Sequence, residues 1–147
     1  MSSPLRLPLT YFPSSRLSVH RYDRIDAATD ARILAAVAPL LAAGPLASLT
    51  VTADEISVVL PTTEALPIAP RVSEDGWVCF KVEGPLDFGL TGILSALTAP
   101  LATAGIPVFA ISTYDTDYIL VKHDKADAAA ATWTAVEVGV ITTTAGP

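Results

Sequence analysis

Between Arg16 and Tyr22 apolar and polar side chains alternate, Leu17 and Val19 interleaving with Ser18 and His20, and this period of two predicts a half-buried strand. The period then lengthens. Ile33, Val37, Leu40 and Leu41 fall on one face of a helix that starts after Asp26, a capping residue, and runs to about Ala43, where Gly44 ends it. Leu46–Thr52 and Ile56–Leu60 return to strand patterning around Ala53-Asp54-Glu55, a hairpin tip. Pro61–Gly76, with three prolines, reads as a linker in which the fourth element of this unit is short or degenerate. Residues 1–14 read as a loosely held leader.

The pattern begins again at Trp77. Trp77–Glu83 is predicted as a strand with Val78, Phe80 and Val82 toward a core and Trp77, Cys79 and Lys81 on the other face. A turn from Gly84 leads into a helix over about Leu90–Ala104, striped by Ile93, Leu94, Leu97 and Leu101. Ile106–Ser112 and Tyr118–Lys122 make a second hairpin, Lys125–Trp133 a short Ala-rich helix and Ala135–Ile141 a last strand. A gapless displacement of 61 positions carries Arg16–Leu60 onto Trp77–Val121, with Ala38-Pro39-Leu40 on Ala99-Pro100-Leu101, Ala43-Gly44 on Ala104-Gly105 and Thr52-x-Asp54 on Thr113-x-Asp115. Pro39 and Pro100 both fall inside predicted helices, where a proline costs roughly 3 kcal/mol, so each implies a tolerated kink. The second copy reads βαββαβ, the split βαβ motif. The fold class is therefore α+β: two ferredoxin-like units packed side by side, residues 15–76 with a degenerate C-terminal part and residues 77–142, each an antiparallel sheet with its helices on one face. A two-copy chain of this kind places a ligand at the seam between copies.

Composition adds a partner. Of 147 residues 51% are apolar and 16% charged, with a mean hydropathy of +0.49, so the chain buries a core and leaves apolar surface for a second subunit, most simply in a homodimer. The net charge is -6 and the nine Lys and Arg residues are scattered, which argues against nucleic acid. Ile33–Ala47, the most apolar run, is short and broken by Pro39, Gly44 and Pro45, which argues against a membrane span, and no signal peptide is read at the N-terminus. One cysteine, Cys79, fits a reducing cytoplasm.

Two loops carry the candidate chemistry, Gly84–Thr91 at the strand-to-helix turn and Ser112–Asp117 at the second hairpin. In a split βαβ sheet these lie near one another, so together they can form one pocket. A helix N-terminus suits a small carboxylate. Asp87, Asp115 and Asp117 suit an ammonium or guanidinium, and Ser112 and Thr113 supply hydroxyls, so the set matches the two ends of an amino acid. Asp87 is equally placed to be an N-cap, as Asp26 is in the first copy, and Asp115 and Thr116 are common turn formers. Asp117 stands apart, because the first copy has Ile56 in its place. The glycines at 84, 89 and 92 lack nucleotide-loop spacing, His20 and His123 have no ligand partners nearby in sequence, Cys79 reads as a buried inert thiol and no Ser-His-Asp spacing is found. The reading is of a protein without catalytic residues, metal or cofactor.

Gly84-Pro85-Leu86-Asp87-Phe88-Gly89-Leu90-Thr91-Gly92-Ile93-Leu94, Ala99-Pro100-Leu101 and Ile111-Ser112-Thr113-Tyr114-Asp115-Thr116-Asp117-Tyr118-Ile119-Leu120-Val121 together resemble the tandem ACT-domain proteins of the CASTOR type. These are related to cytosolic arginine sensors and to the regulatory region of aspartate kinases. The resemblance is dense over residues 77–122, looser over 16–60, and fades after Lys122. It implies ACT units that pair and hold an amino acid at their interface, with contacts falling on Asp87, Phe88, Gly89 and Leu90 in the turn and on Thr113, Tyr114 and Asp117 in the hairpin. Gly89-Leu90 stands where the sensors carry an acidic pair. The function expected is a non-catalytic, amino-acid-binding regulatory protein. Its rivals are a structural or partner-binding ACT module with a vestigial pocket, and a small enzyme using Asp87, Tyr114 and Asp117.

Overall fold

The computed structural model describes residues 8–84 and 91–143. Its elements are β1 (Leu9–Asp23), α1 (Ala27–Val37), a 3-10 turn over Ala38–Ala42, β2 (Ser48–Val51), β3 (Glu55–Pro61), β4 (Val72–Val82), α2 (Ile93–Thr103), β5 (Phe109–Ser112), β6 (Asp117–Lys122), a 3-10 turn over His123–Lys125, α3 (Ala126–Ala135) and β7 (Val140–Thr142). The described residues divide into two compact units, one of Ser15–Trp77 and one of those before Ser15 together with those from Val78 to 143. Both are α+β; β1 with β3, β2 with β3 and β5 with β6 pair antiparallel, and β1 with β7 pairs parallel.

In the unit of Ser15–Trp77 the strands run in the order β2-β3-β1-β4. Ser18 lies opposite Leu60, His20 opposite Val58 and Tyr22 opposite Ile56, and this face meets α1 in a core of Tyr22, Ile33, Val37, Ile56, Val58 and Leu60. No helix joins β3 to β4. Instead Leu66 and Ile68 of the connecting segment cover the core, fastened by the Tyr22 hydroxyl, which donates to Ile68 O at 2.6 Å.

In the other unit the order is β7-β1-β4-β6-β5, with β7 parallel to β1 through Leu9↔Val140. Leu9, Val78, Phe80, Val82, Ile119 and Val121 from the strands pack on Leu97 and Leu101 of α2 and on Ala126, Ala129 and Trp133 of α3. Trp133 is fully buried, donates from Nε1 to Leu97 O at 2.8 Å and meets Phe80 edge-on at 4.8 Å, while Tyr11 stacks on the same Phe80 ring at 4.4 Å.

The leader is structured from Leu9 onward: β1 starts seven residues before Arg16, because Leu9–Tyr11 pair with a strand from the far end of the chain, and Pro13 does not break it. The linker shortens for a similar reason. Val72–Gly76 belong to β4, held beside β1 by the Arg71 N to Arg21 O bond of 2.8 Å, although this polar stretch shows no alternation and Gly76 has a φ of 81°. The first helix stops at Val37, and Pro39 sits at the start of the 3-10 turn, where its missing N–H costs nothing; Pro100, by contrast, does lie inside α2. Asp26 caps α1 by accepting from Thr29 N at 2.7 Å, whereas α2 begins behind Gly92, at φ 78° and without a side-chain cap; Asp87, the cap expected for the second helix, lies outside the described residues. Trp77 and Cys79 are buried as well, so only Lys81 of the predicted outer face is partly exposed.

The displacement of 61 holds in some elements and fails in others. Ser48–Val51 maps onto Phe109–Ser112, and Gly44 and Gly105 share φ values of 74° and 73°. In the first strand it slips by one. Leu17 and Val19 map onto Val78 and Phe80, yet the helix-facing set of the first unit is Ser18, His20 and Tyr22. A slip of one residue in a strand exchanges its faces, and the side chains alone give no warning of it.

Candidate functional site

β4 delivers the chain to Glu83 and Gly84, and this end is pinned to the start of β1: Glu83 N donates to Pro8 O at 2.9 Å, and the Thr10 hydroxyl donates to the Glu83 carboxylate. The β5–β6 hairpin arrives beside it. Across the hairpin Ser112 pairs with Asp117, and the tip closes through Thr113 N to Thr116 O at 2.8 Å, with the Thr113 hydroxyl donating to Thr116 O at 3.1 Å and accepting from Thr116 N at 3.3 Å. Asx- and Thr-rich tips close in this way because the short side chain stands in for a backbone partner. Thr116 is 5% exposed and its hydroxyl donates to Val82 O, which ties the tip to the last residue of β4.

Between these pinned segments lies a small cleft of about 210 Å³, bordered by Lys81, Gly84, Asp115 and Thr116. It therefore joins an ammonium, a carboxylate, a hydroxyl residue and the bare backbone of a glycine. The unit of Ser15–Trp77 holds ion pairs between Arg21 and Glu55, Arg24 and Asp30, and Arg71 and Asp23, and among the described residues no ion pair joins Lys81 to Asp115.

The expected hairpin residues are brought together, in differing roles. The Ser112 hydroxyl donates to Asp117 Oδ1 at 2.5 Å, Thr113 is engaged in closing the tip, and Tyr114 is 80% exposed. Asp87, Phe88, Gly89 and Leu90 lie outside the described residues. The cleft is bordered by Lys81, which the sequence does not single out, and by Asp115 and Thr116, which it marks as turn formers. The available signal was a lone cation in the run Val78-Cys79-Phe80-Lys81-Val82, one residue from the end of its strand.

Two other groups bear on chemistry. Cys79 is fully buried, and desolvation pushes its thiol up to about 12, so it stays protonated and unreactive. His20 is 8% exposed and shares a 2.6 Å hydrogen bond between Nδ1 and Ser73 Oγ, a contact between residues 53 apart that spacing could not reveal. Burial holds its pKa below the ordinary 6.5, with the Asp75 charge pulling partly back. Below pH 6.5 the unfolded histidine takes up a proton before the folded one does, so the unfolded state binds more protons and stability falls as pH drops toward the folded pKa. Urea midpoints measured from pH 7.5 down to pH 5 are expected to decline less steeply in His20→Gln than in wild type; parallel curves would mean that His20 carries none of the pH dependence. No group of three metal-ligating side chains occurs among the described residues, and none of their helices is long and apolar enough to cross a membrane.

The chain thus presents an α+β, ferredoxin-like fold with a small charged cleft at the junction of a hairpin and a strand-to-helix turn. The ACT domain family matches residues 72–133, from the start of β4 to Trp133 in α3. Over 93 residues the chain is 33% identical to CASTOR3P of Homo sapiens, an alignment covering 52% of this chain and 55% of that protein, so it spans about half the length of this curated relative. Protein Atu0741 from Agrobacterium tumefaciens is similar along nearly the whole chain, with 26% identity, a TM-score of 0.74 and coverage of 97% and 98% of the two chains. The ligand-free regulatory subunit of aspartate kinase from Thermus thermophilus shares the fold, with a TM-score of 0.64 at 8% identity over 87% of this chain and 95% of that one.

Proposed function

We propose that this chain is a non-catalytic regulatory protein that binds an amino acid, with the cleft at Lys81 and Asp115 as its ligand site. The observation that carries this reading is the placing of opposite charges, Lys81 and Asp115, around a pinned cleft of about 210 Å³, a size suited to a small zwitterion. Lys81 takes the α-carboxylate and Asp115 the α-ammonium, with Gly84 admitting the ligand close to the backbone. Ser112, Thr113, Tyr114 and Asp117 form the hairpin side of the site, and Asp87, Phe88, Gly89 and Leu90 its turn side. The match to the ACT domain and the likeness in fold to an aspartate kinase regulatory subunit support a regulatory role. The finer form of the proposal is a cytoplasmic homodimer of tandem ACT units, residues 15–76 and 77–142, related to the CASTOR type. In that form an interface between units closes over the ligand; the cleft described above belongs to one unit.

A thermal-shift screen against the proteinogenic amino acids tests the reading, because a ligand at 100 times its dissociation constant adds about 2.7 kcal/mol of stability. For the amino acid found, Lys81→Met and Asp115→Asn are each expected to weaken binding about tenfold to a hundredfold, the worth of one charge-assisted hydrogen bond of roughly 1.5–3 kcal/mol. An equal loss in Asp117→Asn assigns that carboxylate to the ligand, whereas unchanged affinity confines it to its Ser112 bond. Should no amino acid stabilise the protein at about 10 mM, where even a weak ligand registers, the partner-binding module takes the place of the sensor.

A further inference from the structure

The hairpin tip of the unit Ser15–Trp77 is closed by the same bonds as the other. Thr52 N donates to Glu55 O at 2.9 Å, and the Thr52 hydroxyl donates to Glu55 O at 3.4 Å and accepts from Glu55 N at 3.1 Å. What lies beside the tip is different. Where the second unit has an open cleft, the first has two arginines laid over the hairpin. Arg21 donates to Glu55 Oε2 at 2.7 Å and to Asp54 O at 3.3 Å. Arg24 reaches from the end of β1 through Nε to Asp30 Oδ2 at 2.7 Å, and through Nη1 to Thr52 O. Asp30 is 8% exposed, and its second oxygen, Oδ1, is buried without a hydrogen-bond partner among the described residues.

Such a site has one polarity. A carboxylate and a main-chain carbonyl offer acceptors only, and the ligand that fits them is a planar cation with several donors in a fork. Arg24 spreads its fork over the carboxylate and the carbonyl and so uses one of the two Asp30 oxygens. A free guanidinium, released from the geometry of the side chain, can face both oxygens at once.

We propose that Asp30 and the Thr52 carbonyl form a guanidinium seat that the chain keeps filled with its own Arg24. The first unit's hairpin tip is then covered from within, whereas the tip of the other unit borders the open cleft beside Lys81 and Asp115. That the open cleft holds the ligand rests on the proposed function; the seat does not. Removing Arg24 should turn the seat into a site for guanidinium or an alkylguanidinium, and an anion should find no purchase there.

The test uses the full chain as Arg24→Ala, whose side chain is about one-third exposed, followed by amide NMR during titration with guanidinium chloride up to about 20 mM, far below denaturing concentrations, with KCl as the salt control. The variant is expected to show saturable shifts at Asp30 and Thr52, with half-saturation on the order of 1–10 mM for so small a ion's few contacts, and to regain part of the Tm lost on mutation. Wild type should show no saturation at these residues, and Asp30→Asn added to Arg24→Ala should abolish it. Identical responses in wild type and Arg24→Ala, saturation with KCl, or saturation that survives loss of the Asp30 charge would each overturn the seat. If Arg24→Ala does not fold, Arg24→Gln, which keeps the bulk without the charge, is read in the same way. Lys81 and Asp115 are untouched throughout, so failure here and failure of the amino-acid reading are told apart.

Discussion

Trp133→Ala is expected to cost about 3–5 kcal/mol, the range for deleting a fully buried large aromatic. The indole is 0% exposed and joins both helices of its unit to the sheet: it lies on α3, meets Phe80 of β4 at 4.8 Å and donates to Leu97 O of α2 at 2.8 Å. Alanine leaves a cavity bounded by all three elements, and the Phe80 ring, stacked on Tyr11 from its other side, cannot move far to fill it. Trp133→Phe restores most of the volume but removes the donor, so it should cost about 1–2 kcal/mol, the loss of one buried hydrogen bond with some repacking. Urea unfolding of the three proteins checks both figures. Equal midpoints for Trp133→Ala and wild type would contradict the packing described for this unit.

Gly44→Ala should be the more harmful of two substitutions that look alike in sequence. Gly44 and Gly105 share nearly the same positive φ, 74° and 73°, where an L side chain is strained by about 1–2 kcal/mol. At Gly105 an added Cβ meets nothing within 4 Å, so the cost stops there. At Gly44 the Cβ would stand 2.8 Å from Cγ of the Pro61 ring, and a proline ring gives way poorly, so a further cost of about 1–3 kcal/mol is added by overpacking. Thermal unfolding of the two variants side by side gives the difference directly. A larger loss at Gly105 would show that the Pro61 contact is relieved without cost.

Local chemistry made a good part of the fold readable. The Asp26 cap, the two Thr-closed hairpin tips and the end of α2 all depend on partners within a few residues. At that end Gly105 N bonds to Ala102 O and Ile106 N to Leu101 O, as a glycine C-terminus requires. The candidate cleft was half-readable for the same reason. The split βαβ order places the hairpin tip near the end of the preceding strand, and a cleft there is bordered by Gly84, Asp115 and Thr116. The part played by Lys81 did not follow, because a single lysine in an apolar strand gives no sign of which loop lies beside it.

What escaped the sequence depends on partners far along the chain. Leu9–Tyr11 are strand because β7 lies beside them, and Val72–Gly76 are strand because β1 does; neither stretch has a pattern of its own that demands it. Tyr22, rather than Leu17, faces α1 because the register against β3 sets it opposite Ile56, and a strand with apolar residues on both faces satisfies either register by composition. Asp26 and Asp87 occupy equivalent places in the repeat, yet only α1 starts where the repeat predicts; α2 waits until Ile93. Side-chain pattern thus determines turns, caps and element types, whose energies are local, whereas strand register, the faces that are buried and the charges that end up facing a common cleft arise from pairings that close long loops, and the energy of those pairings is shared among residues that no short window of sequence contains.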